Sequence, residues 1–306
     1  MGRPRLAHAA AGLLVLLSAL ACRGASPPTT VATSASASAS FTPSEAPQRE
    51  ISAEDFDPSN FDDSATIDNE WFPLTPGTQF IYAGKTTEDD ERIGHQDVFT
   101  VTDMTKVVDG VRTLVIWDRD YSQGELVEQE LALFAQDRDG NVWHFGQYPE
   151  EYEQGKIIET PTWVHGLEGA SAGISMKATP RLGTPDYAQG FAPPPINWVD
   201  RARVYQVGQS TCVPFGCYGD VLVTEEFEVG KPDAYQLKYY SRGVGVVRVG
   251  WRGSKEEEHE VLVLMKVVQL TPDVMAGVRR AVLAQEERAH KYSEDVWALT
   301  RPMEPL

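Results

Sequence analysis

The residues of this chain that could do covalent or metal chemistry are a serine in a glycine frame, scattered histidines, paired carboxylates and three cysteines. Gly169-Ala170-Ser171-Ala172-Gly173 has the form G-x-S-x-G, in which a serine on a sharp strand-to-helix turn becomes a nucleophile served by a later Asp and His. Asp220 and His259 follow in that order. The flanks do not fit: His165-Gly166-Leu167-Glu168 is no apolar strand, and Pro180 arrives too soon for a long helix. With 25 glycines a chance match is expected. Ser171 therefore supports only an alternative reading, an extracytoplasmic hydrolase, and no catalytic residue is assigned. Beyond the N-terminal apolar run the histidines are His95, His144, His165, His259 and His290, with no pair at H-x-H, H-x3-H or H-E-x-x-H spacing. A metal site would have to be assembled from distant positions, so no metal ligand and no cofactor are assigned. His144, between Trp143 and Phe145, reads as a half-buried strand residue.

Carboxylates are abundant but uninformative in pattern. Glu150-Glu151 and Glu256 to Glu258 read as exposed loops in a chain this acidic. Asp55, Asp57, Ser59 and Asp63 suggest a calcium loop, but Asn60 stands where an EF-hand needs Gly and Thr66 where it needs the bidentate Glu. Gly243-Val244-Gly245 lies between strand-like runs, without the helix that a phosphate cradle requires.

The cysteines are more telling. Arg3 and Arg5 precede an apolar run of about a dozen residues, the length of a signal-peptide core and short for a membrane span. Ala19-Leu20-Ala21-Cys22 ends it as a lipobox would, with small Ala21 before the cysteine. The commonest form has Leu at −3 and Ala or Ser at −2, so the match is imperfect. The expectation is a signal peptide over 1–21 and a lipidated Cys22, carrying palmitate among its acyl chains. Cys212 and Cys217 then remain as an even pair in an oxidising compartment, flanking the turn-forming Val-Pro-Phe-Gly. A disulfide is expected there, closing a short loop and contributing about 2 kcal/mol.

The 306 residues carry a net charge of −18. Removal of 1–21 leaves 25 basic and 45 acidic side chains, a net −20. Such a surface repels phosphate backbones and anionic head groups, which excludes nucleic acid and leaves the acyl chains as the means of membrane association. Residues 22–49, from Cys22 on, are mostly Ser, Ala, Thr and Pro with scarcely a large apolar side chain and read as a disordered tether with a span of roughly 30 Å. Residues 50–70 contain eight acids and no Lys or Arg and read as a solvated acidic approach segment.

The elements that would position any site begin at Trp71. Thr78 to Tyr82, Val98 to Val108, Val111 to Trp117, Leu126 to Gln136 and Val142 to Phe145 are strand-like, with Asp109-Gly110 a strong hairpin signal. Val111, Thr113, Val115 and Trp117 should share one face, with Leu114 and Ile116 on the other. Residues 148–200 are less regular, with Trp163, Ile174, Met176 and Trp198 plugging into the core. Strands resume at Arg203 to Val207, Val221 to Glu228, Ala234 to Ser241, Val244 to Trp251 and Glu258 to Val268, where His259, Val261, Val263, Met265 and Val267 share a face. Thr271-Pro272-Asp273 opens a helix over 271–292 whose apolar stripe is Val274, Val278, Ala281, Val282 and Ala289. Residues 293–306 read as a short cap and a frayed tail. The fold class is mainly β: a curved antiparallel meander or partly open barrel over 71–270 with one C-terminal helix.

Three blocks carry a resemblance. Ile67-Asp68-Asn69-Glu70-Trp71-Phe72-Pro73-Leu74-Thr75-Pro76-Gly77-Thr78, Ala135-Gln136-Asp137-Arg138-Asp139-Gly140-Asn141-Val142-Trp143-His144-Phe145-Gly146 and Lys238-Tyr239-Tyr240-Ser241-Arg242-Gly243-Val244-Gly245-Val246-Val247 are similar to a family of uncharacterised bacterial exported proteins and lipoproteins. The resemblance implies an envelope protein built on a curved β-meander and brings no activity or catalytic residue. The expected function is a lipid-anchored, extracytoplasmic, non-enzymatic protein at a bacterial cell or outer membrane, binding an apolar or carbohydrate-like ligand or a partner protein. The alternatives are the hydrolase, through Ser171 or an assembled metal site, and a structural lipoprotein without a ligand. Aromatics lining a cavity would favour a ligand; a solid core would favour the last.

Overall fold

The computed structural model describes residues 53–88 and 91–306. Cys22, the signal peptide and the tether lie outside the described residues. A meander of long strands comes first: β1 (Thr78–Glu88), β2 (Glu91–Val108), β3 (Val111–Ser122), β4 (Glu125–Gln136) and β5 (Val142–Glu153). Asp109 and Gly110 both adopt positive φ, the geometry of a tight hairpin turn between β2 and β3. Short pieces follow: β6 (Lys156–Glu159), β7 (Trp163–Val164), β8 (Ser171–Met176), β9 (Tyr187–Ala188) and β10 (Gly190–Phe191). A second meander is built from β11 (Asp200–Val213), β12 (Gly216–Glu228), β13 (Tyr235–Ser241), β14 (Gly245–Arg252) and β15 (Val261–Gln269). The helix α1 (Pro272–Tyr292) and a two-residue strand β16 (Glu304–Pro305) end the chain.

All strand pairings are antiparallel, and β1 pairs with β15, so the two meanders join in one sheet ordered β10-β8-β5-β4-β3-β2-β1-β15-β14-β13-β12-β11-β9. The sheet curls into a nearly closed barrel. Residues 187–191 bring its edges together: β9 bonds to β11, β10 bonds to β8, and Gln189 between them donates its amide to the Asp200 carbonyl at 2.9 Å. The approach demands glycine at 173, where a Cβ would lie 2.1 Å from the Gly190 nitrogen.

Strand alternation divides the apolar residues in two. Leu114, Ile116, Phe134 and Val142 face the barrel interior with Phe80, Phe99 and Tyr240. Val111, Val115, Leu133, Trp143 and Phe145 face outward beneath α1, Phe56, Phe61, Trp297 and Met303. The helix buries Met275, Val278, Val282, Gln285, Glu286 and Ala289. Val274, expected in the stripe, is 49% exposed because it lies in the first turn, on the side away from the sheet. Polar bonds fix the docking: Trp117 Nε1 donates to Gln285 Oε1 at 3.0 Å, Lys106 Nζ lies 2.9 Å from Glu286, and Arg288 forks onto Glu150 at 2.7 and 2.8 Å.

The two acidic or polar ends differ from expectation for the same reason, namely apolar side chains that find the outer face. Phe56 and Phe61 pack edge-on against Trp143 and Phe145, so the segment after residue 53 is docked through its aromatic side chains while Asp55, Asp57, Asp62 and Asp63 stay exposed. Trp297 is fully buried and β16 pairs with β2, so 293–306 is a docked strap and not a frayed tail. His259 has φ 49° and precedes β15, so it does not share that strand's face.

Candidate functional site

The serine reading fails on geometry. Ser171 opens a strand, β8, where a nucleophile elbow would need a turn into a helix. The nearest histidine on the chain, His165, has both ring nitrogens engaged. Nδ1 accepts the Ala172 amide at 2.9 Å, and Nε2 lies 3.5 Å from Asp109. Neither is available to take a proton from Ser171. Asp220 pairs with Arg242, and His259 packs against the Trp251 ring at 4.1 Å. His144 is fully buried, not half-buried, and burial holds its pKa down at about 3, so it stays neutral. Among the described residues no three His, Cys, Asp or Glu side chains converge as a metal-holding set. Cys212 and Cys217 form a disulfide, Cα–Cα 4.0 Å, opposite one another near the tip of the β11–β12 hairpin.

The three sequence blocks meet in one place, and what they build is a plug. Gln136 Oε1 accepts the amides of Asp68 and Asn69 at 3.0 and 2.8 Å. Asn69 Oδ1 accepts those of Trp71 and Phe72, and its Nδ2 donates to the Gly140 carbonyl at 2.8 Å. The Gly243 amide donates to the Glu70 carbonyl, and Arg242 lies over the Trp71 ring. Phe72 is thereby driven into the barrel, edge-on to Phe134 and Tyr240. Their shared task is to order the chain before β1 and close one end of the barrel.

Most of the aromatics that could have lined a ligand cavity are packed against each other; Trp251, 38% exposed, is an exception. Two interior clefts beside Phe72 each have room for about one water molecule. The second is partly polar, with Ser175, Gln189 and the buried pair Lys238–Glu226 at 2.6 Å.

The unexpected feature is the other end of the interior. Tyr82, Asp97, Asp120, Glu128 and Glu151 stand directly opposite one another across β1 to β5, one transverse row of four acids. Asp118 opposite Glu130 forms a second row. All six carboxyls are buried. Directly opposed like charges destabilise a sheet, and buried ones more so. His95 offers the nearest basic group, 3.3 Å from Asp120 and 3.0 Å from Glu260. Neither oxygen of Glu128 meets a hydrogen-bond donor, nor does Oε1 of Gln147 on the same interior face. Burial first, and neighbouring acids second, push Asp97, Glu128 and Glu130 well above the carboxylate range. Burial does the same to Asp120, partly opposed by His95. Burial and then Glu159 push Glu151 up to about 7. The shift favours the protonated form of Asp97, Asp120, Glu128 and Glu130, while Glu151 titrates across neutral pH.

Glu150-Glu151, expected in an exposed loop, is thus buried in β5, one carboxyl on each face of the sheet. Glu256 and Glu258 are likewise half-buried. The signal that could have found this region is the spacing of two in Asp118-Arg119-Asp120 and Glu128-Gln129-Glu130, which places each pair on one strand face.

No protein-family model matches the chain, and no curated protein matches it. Two solved structures resemble it. One is a Bacteroides fragilis protein named for export and for its YmcC-like fold, at 13% identity and TM-score 0.38, over 65% of this chain and 99% of that one. The other is a Parabacteroides distasonis protein named as a lipoprotein, at 12% identity and TM-score 0.30, over 64% of this chain and 97% of that one. The barrel reading rests on the strand order above and not on these likenesses.

Proposed function

We propose that this chain is a lipid-anchored extracytoplasmic envelope protein, held by acyl chains on Cys22, that acts by binding a partner protein of the envelope and not by covalent chemistry. The observation that turns the choice away from a small ligand is the packing of the barrel interior, which leaves a partner protein and, as the second reading, a structural lipoprotein without a ligand. An apolar or carbohydrate-like ligand would need the aromatic side chains that are instead engaged with one another around Phe72, where two clefts each leave room for about one water. The Cys212–Cys217 disulfide supports an oxidising compartment. The hydrolase reading is not supported at Ser171, beside which His165 has both ring nitrogens engaged. The test is fractionation of cells expressing the full chain and its Cys22→Ser variant. The parent is expected in the membrane fraction with a mass increment at Cys22, and the variant in the soluble extracytoplasmic fraction. Membrane retention of the variant with an unmodified N-terminus refutes the anchor. For the partner, in-cell crosslinking of the parent should yield a discrete adduct that Ser171→Ala leaves unchanged. A small hydrophobic or glycan ligand co-purifying in stoichiometric amount would overturn the partner reading.

A further inference from the structure

At the acid-lined end of the barrel, an acidic loop, Glu256-Glu257-Glu258-His259-Glu260, lies against β1 and β2 and reaches the acid row through His95. Its base is fixed: Ser254 and Lys255 donate backbone amides to Asp233, each at 2.9 Å. Beyond that base it reaches back over the barrel. The Glu258 carbonyl accepts the Thr87 amide at 2.7 Å and the Thr86 hydroxyl at 3.3 Å. Arg92 donates to the His259 carbonyl at 3.1 Å. Glu260 is buried, 3.0 Å from His95 Nε2, with Gln236 donating to its other oxygen at 2.8 Å. His95 in turn reaches Asp120, so one imidazole ties the loop to the acid row.

An acidic loop docked on a row of buried acids is held against its own charge. The groups that face it are His95 and Asp97 from β2, Asp120 from β3, Arg92 at the start of β2 and Lys231 from the turn after β12, and behind Asp97 and Asp120 the row continues through Glu128 to Glu151. With the loop's own four carboxylates, acids outnumber bases there. Such a cluster stays closed only while most of its carboxyls carry protons, because each ionisation adds a like charge in a poorly solvated space.

We propose that residues 256–260 form a proton-controlled cap: closed over the barrel while the carboxyls beneath retain their protons, and released as they ionise. The cap's own Glu258 belongs to the same system, since burial, then Glu260 and Glu256, push it up to about 7. Release lifts Glu258 and Glu260 into water and breaks the tie through His95 to the acid row. The base at Asp233 stays in place, so the motion is confined to one loop and the end of β1.

The test is native-state amide exchange on the full extracytoplasmic chain at pH 5.5 and pH 8, corrected for intrinsic rates, with chelator and again with calcium chloride. The expected result is that Thr87 and residues 256–260 lose at least tenfold more protection at pH 8 than the core amides of Leu131 to Ala135. Glu258→Gln should remove part of that difference and Glu128→Gln another part. If either variant fails to fold, the parent series alone decides. An equal change at the cap and the core overturns the proposal, as does protection at Thr87 that is independent of pH. Closure at pH 8 that requires calcium also overturns it, because a cation would then hold the cap in place of protons.

Discussion

Raising the pH from 6.5 to 8 should destabilise this protein, against the usual trend for small domains. Glu151 and Glu258 hold their protons up to about 7 in the folded chain, against an ordinary value of 4.5. A carboxyl raised by folding contributes stability that is fully present below its unfolded pKa and lost as pH climbs through the folded one. The window opens at 6.5 to limit the opposing effect of His144, buried and neutral, whose unfolded-state titration is half complete there and still offsets the loss by about 0.4 kcal/mol, with His165, also lowered by burial, acting in the same direction. Integrating the linkage relation over the window for a group with a folded pKa near 7 gives a loss of about 0.8 kcal/mol. The two groups together give about 1.5 kcal/mol, to which Asp97, Asp120, Glu128 and Glu130 add in the same direction. Urea unfolding at several pH values, followed by circular dichroism at constant ionic strength, measures it. Glu151→Gln should flatten the slope by about half of that sum. Stability that is level or rising between pH 6.5 and 8 would refute the reading of the interior as proton-loaded.

Two further perturbations act on the outer face. Trp143→Ala removes a buried indole that meets Phe56 and Phe61 and donates to Asp137 at 2.7 Å; it should lower stability by about 3–5 kcal/mol, and a thermal melt within 2 °C of the parent, a margin of roughly the shift expected for 1 kcal/mol, would show the strand face to be misassigned. Lys106→Met strands the Glu286 carboxyl beneath the helix and should lower stability by about 3–5 kcal/mol in urea, whereas Lys106→Met with Glu286→Leu should recover part of the loss; a double variant no better than the single would show that the pair is not the reason.

How much of this was legible follows from which signals are local. Asp109-Gly110 fixes a hairpin by itself, because both residues must adopt positive φ and few others do so readily. Alternation around it correctly separated Val111, Val115 and Trp117 from Leu114 and Ile116. Nothing local says which of the two faces turns inward. In an open sheet the face bearing Asp118, Asp120, Glu128 and Glu130 would belong to water. It lies inside here because residues 187–191 join edges that are far apart in sequence. The helix stripe slipped at Val274 for a related reason: Gln285 and Glu286, polar by type, take buried places because Trp117 and Lys106 await them on the sheet. The docking of Phe56 and Phe61 was hidden by the acids around them.

Glu150 and Glu151 show how the fold sorts its charges. They are adjacent, of one type, and both buried. Glu150 faces outward, and although burial works against its ionised form, Arg288 with hydrogen bonds from Tyr152 and Gln129 outweighs it and keeps the carboxyl below its ordinary range. Glu151 faces inward, where burial and the charge of Glu159 act together and lift it to about 7. The outer acid is matched by a cation carried on the helix, so it locks that helix to the sheet at every physiological pH. The inner acid has only acids and Tyr82 in its row, so a proton takes the place of a cation there. The same division runs along the barrel: Asp103 with Arg279 and Glu286 with Lys106 on the outside, Asp97 and Glu128 on the inside. A scaffold built this way is indifferent to protons where the helix docks and responsive to them where the loop at 256–260 closes the barrel.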